Sequence, residues 1–259
     1  SLPADHIRPP VQTFRGASLP FSLDARLTQA LKRLGEEQQA TLFTTVLAAF
    51  QVLLYRLTSQ KQVIVGCPLA GRSRAEFANI AGYFVNAVPL RADFEQRQTF
   101  TEFLSQVRNR VAKAFAHELY PFSLMVEQLG IVRDPAVSPI FQSAFVFQQT
   151  YGSRSEDFVR FALGQPQAQV TLGGLQLEHV AIEQRIAQFD LTLTVGEGPD
   201  GIVGAWEYSS DLFEKATIAR WAECFSTILE EIISHPDISV SQLPILSGSQ
   251  YDQLVERLN

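Results

Sequence analysis

"GYFVNAVPLR", residues 82–91, is the stretch on which the reading of this chain turns. Phe84, Val85, Val88 and Leu90 give it the aromatic and β-branched character of a strand; Gly82 opens it and Arg91 closes it. Asn86 and Pro89 stand where a central strand would carry plain valines. Proline donates nothing to a ladder, so Pro89 assigns the stretch to a sheet edge or to a break in pairing. Asn86 brings two donors and an acceptor. They suit either a clamp on neighbouring backbone or a contact with a substrate.

Outward from this stretch the periodicities alternate between helix and strand. Upstream, residues 24–38 and 41–58 read as helices, the second with Leu42, Val46, Ala49, Phe50, Leu53, Leu54 and Leu57 at helical spacing. "QVIVGCPL" (62–69) reads as a buried strand, and the polar run from Gly71 to Asn79 separates it from 82–91. Downstream, Thr99 and Glu102 form a capping box ahead of a stripe made by Phe100, Phe103, Leu104, Val107, Val111, Ala114 and Phe115. "YPFSLMVEQL" (120–129) starts a shorter helix, with Pro121 in its first turn. "IFQSAFVFQQ" (140–149) is a strand whose alternation puts Phe141, Phe145 and Phe147 on one face and Gln142, Ala144 and Val146 on the other.

Residues 150–174 are polar and without a clear period, which predicts a long functional loop. Strands resume at 175–182 and 189–195, and "EGPDG" (197–201) turns the second into a partner at 202–209. The last helix spans about 214–234, with Ile218, Trp221, Phe225, Ile228, Leu229 and Ile232 on its apolar face. The fold class is α/β: a mixed sheet flanked by helices. Prolines make the start, Ser1 to about Phe14, an extended and weakly ordered linker.

Composition narrows the function. The chain has 259 residues, 46 % of them hydrophobic and 19 % charged, with a net charge of −6. An acidic balance disfavours nucleic acid, whose phosphates call for a basic surface. Cys67 and Cys224 are distant and in apolar surroundings, which reads as two buried free thiols in a reducing cytoplasm rather than a disulfide or a metal site. No apolar run is long enough to span a bilayer, so no membrane is expected. Gly-x-Ser-x-Gly, Gly-x-Gly-x-x-Gly, phosphate-loop and His-Glu-x-x-His signatures are all absent from the sequence. The four histidines, His6, His117, His179 and His235, are scattered, and His117 at a helix end suits the negative pole of the dipole better than it suits base catalysis.

Three stretches, in order, resemble the condensation domains of non-ribosomal peptide synthetases. "IAGYFVNAVPLR" (80–91) is similar to that family's fifth core motif, "HELYPFSLMVEQL" (117–129) to its sixth and "RDPAVSPIFQSAFVFQ" (133–148) to its seventh. The flanking "RPPVQTFRG" (8–16), "TLFTTVLAAFQVLLYRLTSQ" (41–60) and "GCPLAGRSRAEF" (66–77) agree with it.

The resemblance implies a chloramphenicol-acetyltransferase-like fold of two lobes around a cleft. There an acceptor amine attacks a donor thioester, both delivered on phosphopantetheine arms by carrier proteins, with no directly bound cofactor or metal. The family's His-His-x-x-x-Asp-Gly motif, which assists the attack, occurs nowhere in these 259 residues. The resemblance therefore implies that residues 1–16 are the inter-lobe linker, 17–246 the C-terminal lobe and 247–259 the start of a linker to an adenylation domain. Residues 150–174 would be the latch reaching toward the other lobe.

By the same resemblance Asn86, Ser138, Gln142 and Ser143 are candidates for the cleft, with Ser138 standing where the family carries asparagine. Gly82, Phe84, Arg91, His117, Tyr120, Pro121, Phe122, Arg133, Asp134, Pro139 and Phe141 are motif residues with structural roles. Arg133 and Asp134 are expected to hold the loop before strand 140–149. The partners implied are the missing lobe, donor and acceptor carrier proteins and the adjacent adenylation domain. A lobe without the histidine motif is expected to be inactive alone. The alternatives are a non-catalytic interaction lobe and a lobe of an epimerisation domain.

Overall fold

The computed structural model describes residues 2–77, 79–148, 155–164, 168–180, 182 and 184–246. Its central feature is a six-stranded mixed sheet. The chain enters it through β1 (Gly16–Asp24) and passes into α1 (Ala25–Glu37), α2 (Leu42–Thr58) and β2 (Gln62–Leu69). It continues through β3 (Asn86–Asp93), α3 (Phe100–Phe115), α4 (Phe122–Gln128), β4 (Ser143–Gln148), α5 (Ser155–Ala162), β5 (Gln169–Leu172) and β6 (Leu175–Glu178). It closes with β7 (Leu191–Gly198), β8 (Gly201–Ser209) and α6 (Lys215–Ser234). The strand order is β1-β8-β7-β4-β2-β3, and β5 and β6 form a separate hairpin. Strand β4 runs parallel to both β2 and β7; the other pairings of the six-stranded sheet are antiparallel.

The helices start where side chains can satisfy their first amides. Asp24 accepts from Leu27 N–H at α1, Thr41 from Thr44 N–H at α2, and Thr99 with Glu102 completes the capping box of α3. Helix α2 is apolar around most of its circumference and buried from Thr44 to Leu54, so it forms the middle of the core. Around it Phe50, Phe145, Trp206, Phe225 and Phe21 make a continuous set of ring contacts, stacked between Phe50 and Phe145 and tilted or edge-on elsewhere. Helices α1, α2, α3 and α6 and this cluster cover one face of the sheet.

Three expectations need correction. Strand β3 begins at Asn86, so Gly82 to Val85 lie outside it; as Pro89 required, β3 is the edge strand. The run 150–174 is not featureless: among its described residues are α5, β5 and the Gly173-Gly174 turn, whereas 150–154 and 165–167 lie outside the described residues. Strand β1 is missing from the sequence reading, although Ala17, Leu19, Phe21 and Leu23 alternate with Ser18, Pro20 and Ser22 at the strand period; Pro20 is tolerated because β1 is the other edge strand.

The opening segment is extended as expected but is fastened down along its length rather than loose. Asp5 caps α6 by accepting from Glu214 N–H and the Thr217 hydroxyl. Gln12 N–H donates to Pro135 O, and Thr13 donates to Asp211. Arg8 forms a two-pronged ion pair with Asp190, whose side chain is 6 % exposed, and also donates to Ala136 O. The proposed linker at 247–259 lies outside the described residues.

Candidate functional site

Helices α1, α2, α3 and α6 cover one face of the sheet; the other carries α5 against Gly196 of β7 and, beside it, lines a cavity of 1280 Å³. Its floor follows from strand register. One row crosses the floor as Ser18, Glu207, Thr192 and Ala144 and continues to Gly66, under the Phe141 ring, and Pro89, beyond the cavity; the next holds Pro20, Ala205, Thr194 and Val146. Small residues dominate both rows, so the floor is shallow and leaves room above it. Phe122, Phe141 and Phe189 form an aromatic wall with ring centroids 5.4 and 5.1 Å apart. Tyr83, 87 % exposed, and Val85 line it from the segment before β3, with His179, Val180 and Ile182 on the segment after β6.

The wall explains a further correction to the sequence reading. Strand β4 starts at Ser143, and Ile140 before it has φ +68 with Phe141 N–H donating to Pro139 O, a γ-turn. That turn breaks the alternation. Phe145 and Phe147 pack into the core, whereas Phe141 swings to the cavity side and lies across Gly66, where any Cβ would meet its ring.

Asn86 is the hub between the first and second motif stretches. Its amide donates to Glu118 O at 2.8 Å and Tyr120 O at 2.7 Å, while its carbonyl accepts from Phe122 N–H at 3.0 Å. The side chain is thus a clamp that fixes the turn between α3 and α4 and the first amide of α4. Asn86 lies on the cavity lining, but these three bonds use both its donors and its acceptor on backbone.

The other cleft candidates are not brought together at the cavity. Ser143 is buried on the core side of β4, and Gln142 donates back to Ser138 O at 3.0 Å; none of Ser138, Gln142 and Ser143 is on the lining. Alternation accounts for Ser143, and the γ-turn accounts for Gln142 and Ser138.

Several motif residues make local contacts. Arg72 donates to the carbonyls of Phe77, Ile80 and Gly82 and lies 4.5 Å over the ring of Phe84, so it organises the loop that presents Tyr83. Arg91 and Arg110 share Asp93 outside the cavity. His117 is exposed in the turn after α3, where its carbonyl accepts from Tyr120 N–H. The Tyr120 hydroxyl donates to Gln128, and Pro121 is the N-cap of α4.

Asp134 accepts from Ala136 N–H as expected, but Arg133 is exposed with no hydrogen bond or ion pair among the described residues. The arginine that grips this loop is Arg8, through Ala136 O. Sequence reasoning missed it because its partner Asp190 lies 182 positions away.

Glu207 and His179 also line the cavity. Glu207, half-buried on β8, has no hydrogen bond or ion pair among the described residues, and burial raises its carboxyl pKa. The signal for it was one charge between two core aromatics, Trp206 and Tyr208. His179 lines the far side, its Nδ1 buried with no hydrogen-bond partner among the described residues and its ring edge-on to Phe161. Burial pushes the Cys67 thiol far above its ordinary range and raises that of Cys224; both are buried and free. Among the described residues no group of three or more metal-ligating side chains forms, and no single helix is long and apolar enough to cross a membrane.

Known proteins agree with this picture. The family model for the condensation domain matches residues 1–255. A linear gramicidin synthase of Brevibacillus parabrevis is 36 % identical over 258 residues, covering all of this chain but 5 % of that protein. A plipastatin synthase of Bacillus subtilis (strain 168) is 35 % identical, again over the whole chain, which is 7 % of its length. Among solved structures, AB3403, a four-domain nonribosomal peptide synthetase bound to AMP and glycine, superposes with a TM-score of 0.89 at 29 % identity, over 96 % of this chain and 19 % of that one.

The X-domain from teicoplanin biosynthesis superposes with a TM-score of 0.81 at 25 % identity, over 95 % of this chain and 53 % of that one. The fold is the chloramphenicol-acetyltransferase-like fold of these proteins. By sequence and by fold, this chain belongs to the condensation-domain family.

Proposed function

We propose that this chain is the C-terminal lobe of a condensation domain that joins a carrier-bound donor acyl thioester to a carrier-bound acceptor amine. The observation that carries the reading is the open part of the sheet face away from α1, α2, α3 and α6: a 1280 Å³ cavity with an aromatic wall, beside a sequence without His-His-x-x-x-Asp-Gly. A cavity walled on one side by these residues fits a cleft completed by a second lobe that brings the histidine. The span of about half of a solved X-domain chain supports the same division. Donor and acceptor carrier proteins, the other lobe and an adenylation domain are its partners in this reading. Phosphopantetheine arms bring the substrates, and no cofactor binds directly. Segment 150–174 serves as the latch, and the work is done in the cytoplasm.

The lobe alone is inactive in this reading. A general base supplies about 10²–10⁴ in rate, and alignment of two reactants reaches effective molarities of about 10⁵–10⁸ M. Half a cleft forfeits both contributions. The test mixes loaded donor and acceptor carriers with this chain alone, and with this chain joined to a histidine-bearing lobe, and reads product by intact-protein mass spectrometry. Turnover by the joined form only, abolished on changing the histidine, is the expected result; turnover by the chain alone at a similar rate refutes it. A second reading, an interaction lobe without chemistry, is favoured by the likeness to an X-domain solved in complex with OxyB. The same assay separates the two, because an interaction lobe stays silent in both forms.

A further inference from the structure

Glu207 is the one carboxylate on the cavity lining formed by the described residues. It projects from the open face of β8 between Ser18 of β1 and Thr192 of β7, its register partners. Ala205 and Thr194 lie in the next row, so nothing bulky stands over it from the sheet. Lys215 of α6, His179, Gln184 and Gln188 line the same cavity, yet none of them hydrogen-bonds or ion-pairs to Glu207. A half-buried carboxylate with no cationic partner is a costly arrangement. It becomes favourable when a cation arrives from outside.

We propose that Glu207 binds the protonated α-amino group of the acceptor and so selects acceptors that carry an amine. This deepens the amide-forming reading and rests on it. An α-amino group has a pKa of about 7.7–8.0, so near neutral pH it is a cation until it is activated. Charge-assisted hydrogen bonds from that ammonium to Glu207 would hold the nitrogen against the floor of the cavity. The hydroxyls of Ser18 and Thr192, beside Glu207 in the row, are able to accept its remaining protons. The small residues around them leave the acceptor's side chain room above the floor.

The experiment uses the complete two-lobe domain and two inert probes: alanine joined to pantetheine through an amide, and the lactyl counterpart with a hydroxyl in place of the amine. Binding is measured by calorimetry. The wild type prefers the alanyl probe by on the order of tenfold, the scale of one hydrogen bond to a charged group. Glu207→Gln, nearly isosteric, abolishes that preference and leaves the lactyl affinity unchanged; Glu207→Asp restores part of it.

A second measurement follows the wild-type preference with pH. The raised carboxyl is charged above its folded-state pKa and neutral below it, so the wild-type preference is lost as pH falls through that value. His179 and Lys215 are the other basic groups on the lining. The profile is therefore repeated with His179→Gln, and the loss persists if Glu207 is responsible. An unchanged alanyl-to-lactyl ratio in Glu207→Gln, or an equal loss for both probes, overturns the proposal. If the wild-type domain forms amide while the ratio stays fixed, only the role of Glu207 falls. If it forms no amide with any loaded carriers, the amide-forming reading falls too.

Discussion

Replacing Asn86 tests whether one side chain joins the edge strand to the turn between α3 and α4. Asn86→Ala removes three hydrogen bonds, at 2.8, 2.7 and 3.0 Å, and leaves Glu118 O, Tyr120 O and Phe122 N–H without their partner. At roughly 0.5–1.5 kcal/mol net per bond, and with water able to reach the more exposed Tyr120 carbonyl, the loss comes to about 2–3 kcal/mol. Asn86→Asp is the sharper probe. It keeps an acceptor for Phe122 N–H but turns a carboxylate oxygen toward two carbonyl oxygens, so near neutral pH it should be no more stable than the alanine variant. The introduced carboxyl then has a folded-state pKa raised above its unfolded value of about 3.9. Its penalty is complete above the raised value and shrinks as pH falls through it, because the protonated acid donates to one carbonyl. Urea unfolding at pH 7 and pH 4.5 measures the gap, and amide exchange at Phe122 reports the local end of the clamp. An Asn86→Asp protein within about 0.5 kcal/mol of wild type at pH 7 would refute the reasoning, since that is what an unengaged surface position gives.

The strand β4 faces are checked by truncation. Phe145, 1 % exposed among Phe43, Phe50 and Phe147, should lose about 3–5 kcal/mol on Phe145→Ala. Phe147→Ala, at a half-buried position, should lose less, and equal melting temperatures for both variants would contradict the register. Acid stability should depend on Asp93. Burial alone would raise its carboxyl, but hydrogen bonds from Arg91 and Arg110 outweigh burial and hold it below the ordinary carboxylate range. The stabilisation is therefore present above the unfolded pKa of about 3.9 and lost as pH falls through the lowered folded value. Asp93→Asn should flatten that part of the acid limb in urea titrations between pH 5 and 2, and an unchanged limb would count against the pair.

What the sequence conveyed and what it withheld divide along the two faces of the sheet. Core-facing residues announce themselves, because burial demands large apolar side chains at fixed spacing. Leu42 to Leu57 of α2, the "QVIVGCPL" strand and the Thr99–Glu102 box were legible for that reason, and Pro89 marked the edge strand because proline cannot pair on both sides. The γ-turn at Ile140 was not legible, since a β-branched residue at φ +68 contradicts local preference and is held there by its surroundings. Simple alternation therefore assigns Phe141 to the wrong face.

The cavity face carries a weaker signal for a physical reason. A surface that must leave space is built from what is not large: Ser18, Ala144, Thr192 and Ala205 are the small or polar members of their strands, and no strand read singly shows that they share a floor. Only register turns them into a row. Once the row exists, Gly66 has a cause, because it accepts the Phe141 ring, and Glu207 becomes conspicuous as the charge among small neighbours. The clamps follow the same logic. Arg8 with Asp190, and Asn86 with three backbone groups, join segments 182 and up to 36 positions apart, distances over which no local pattern reaches. The motif stretches are therefore best understood as scaffold. They fix the turn before α4, the γ-turn and the edge strand, and by fixing them they set the aromatic wall against a floor whose one carboxylate has no partner among the described residues of the chain.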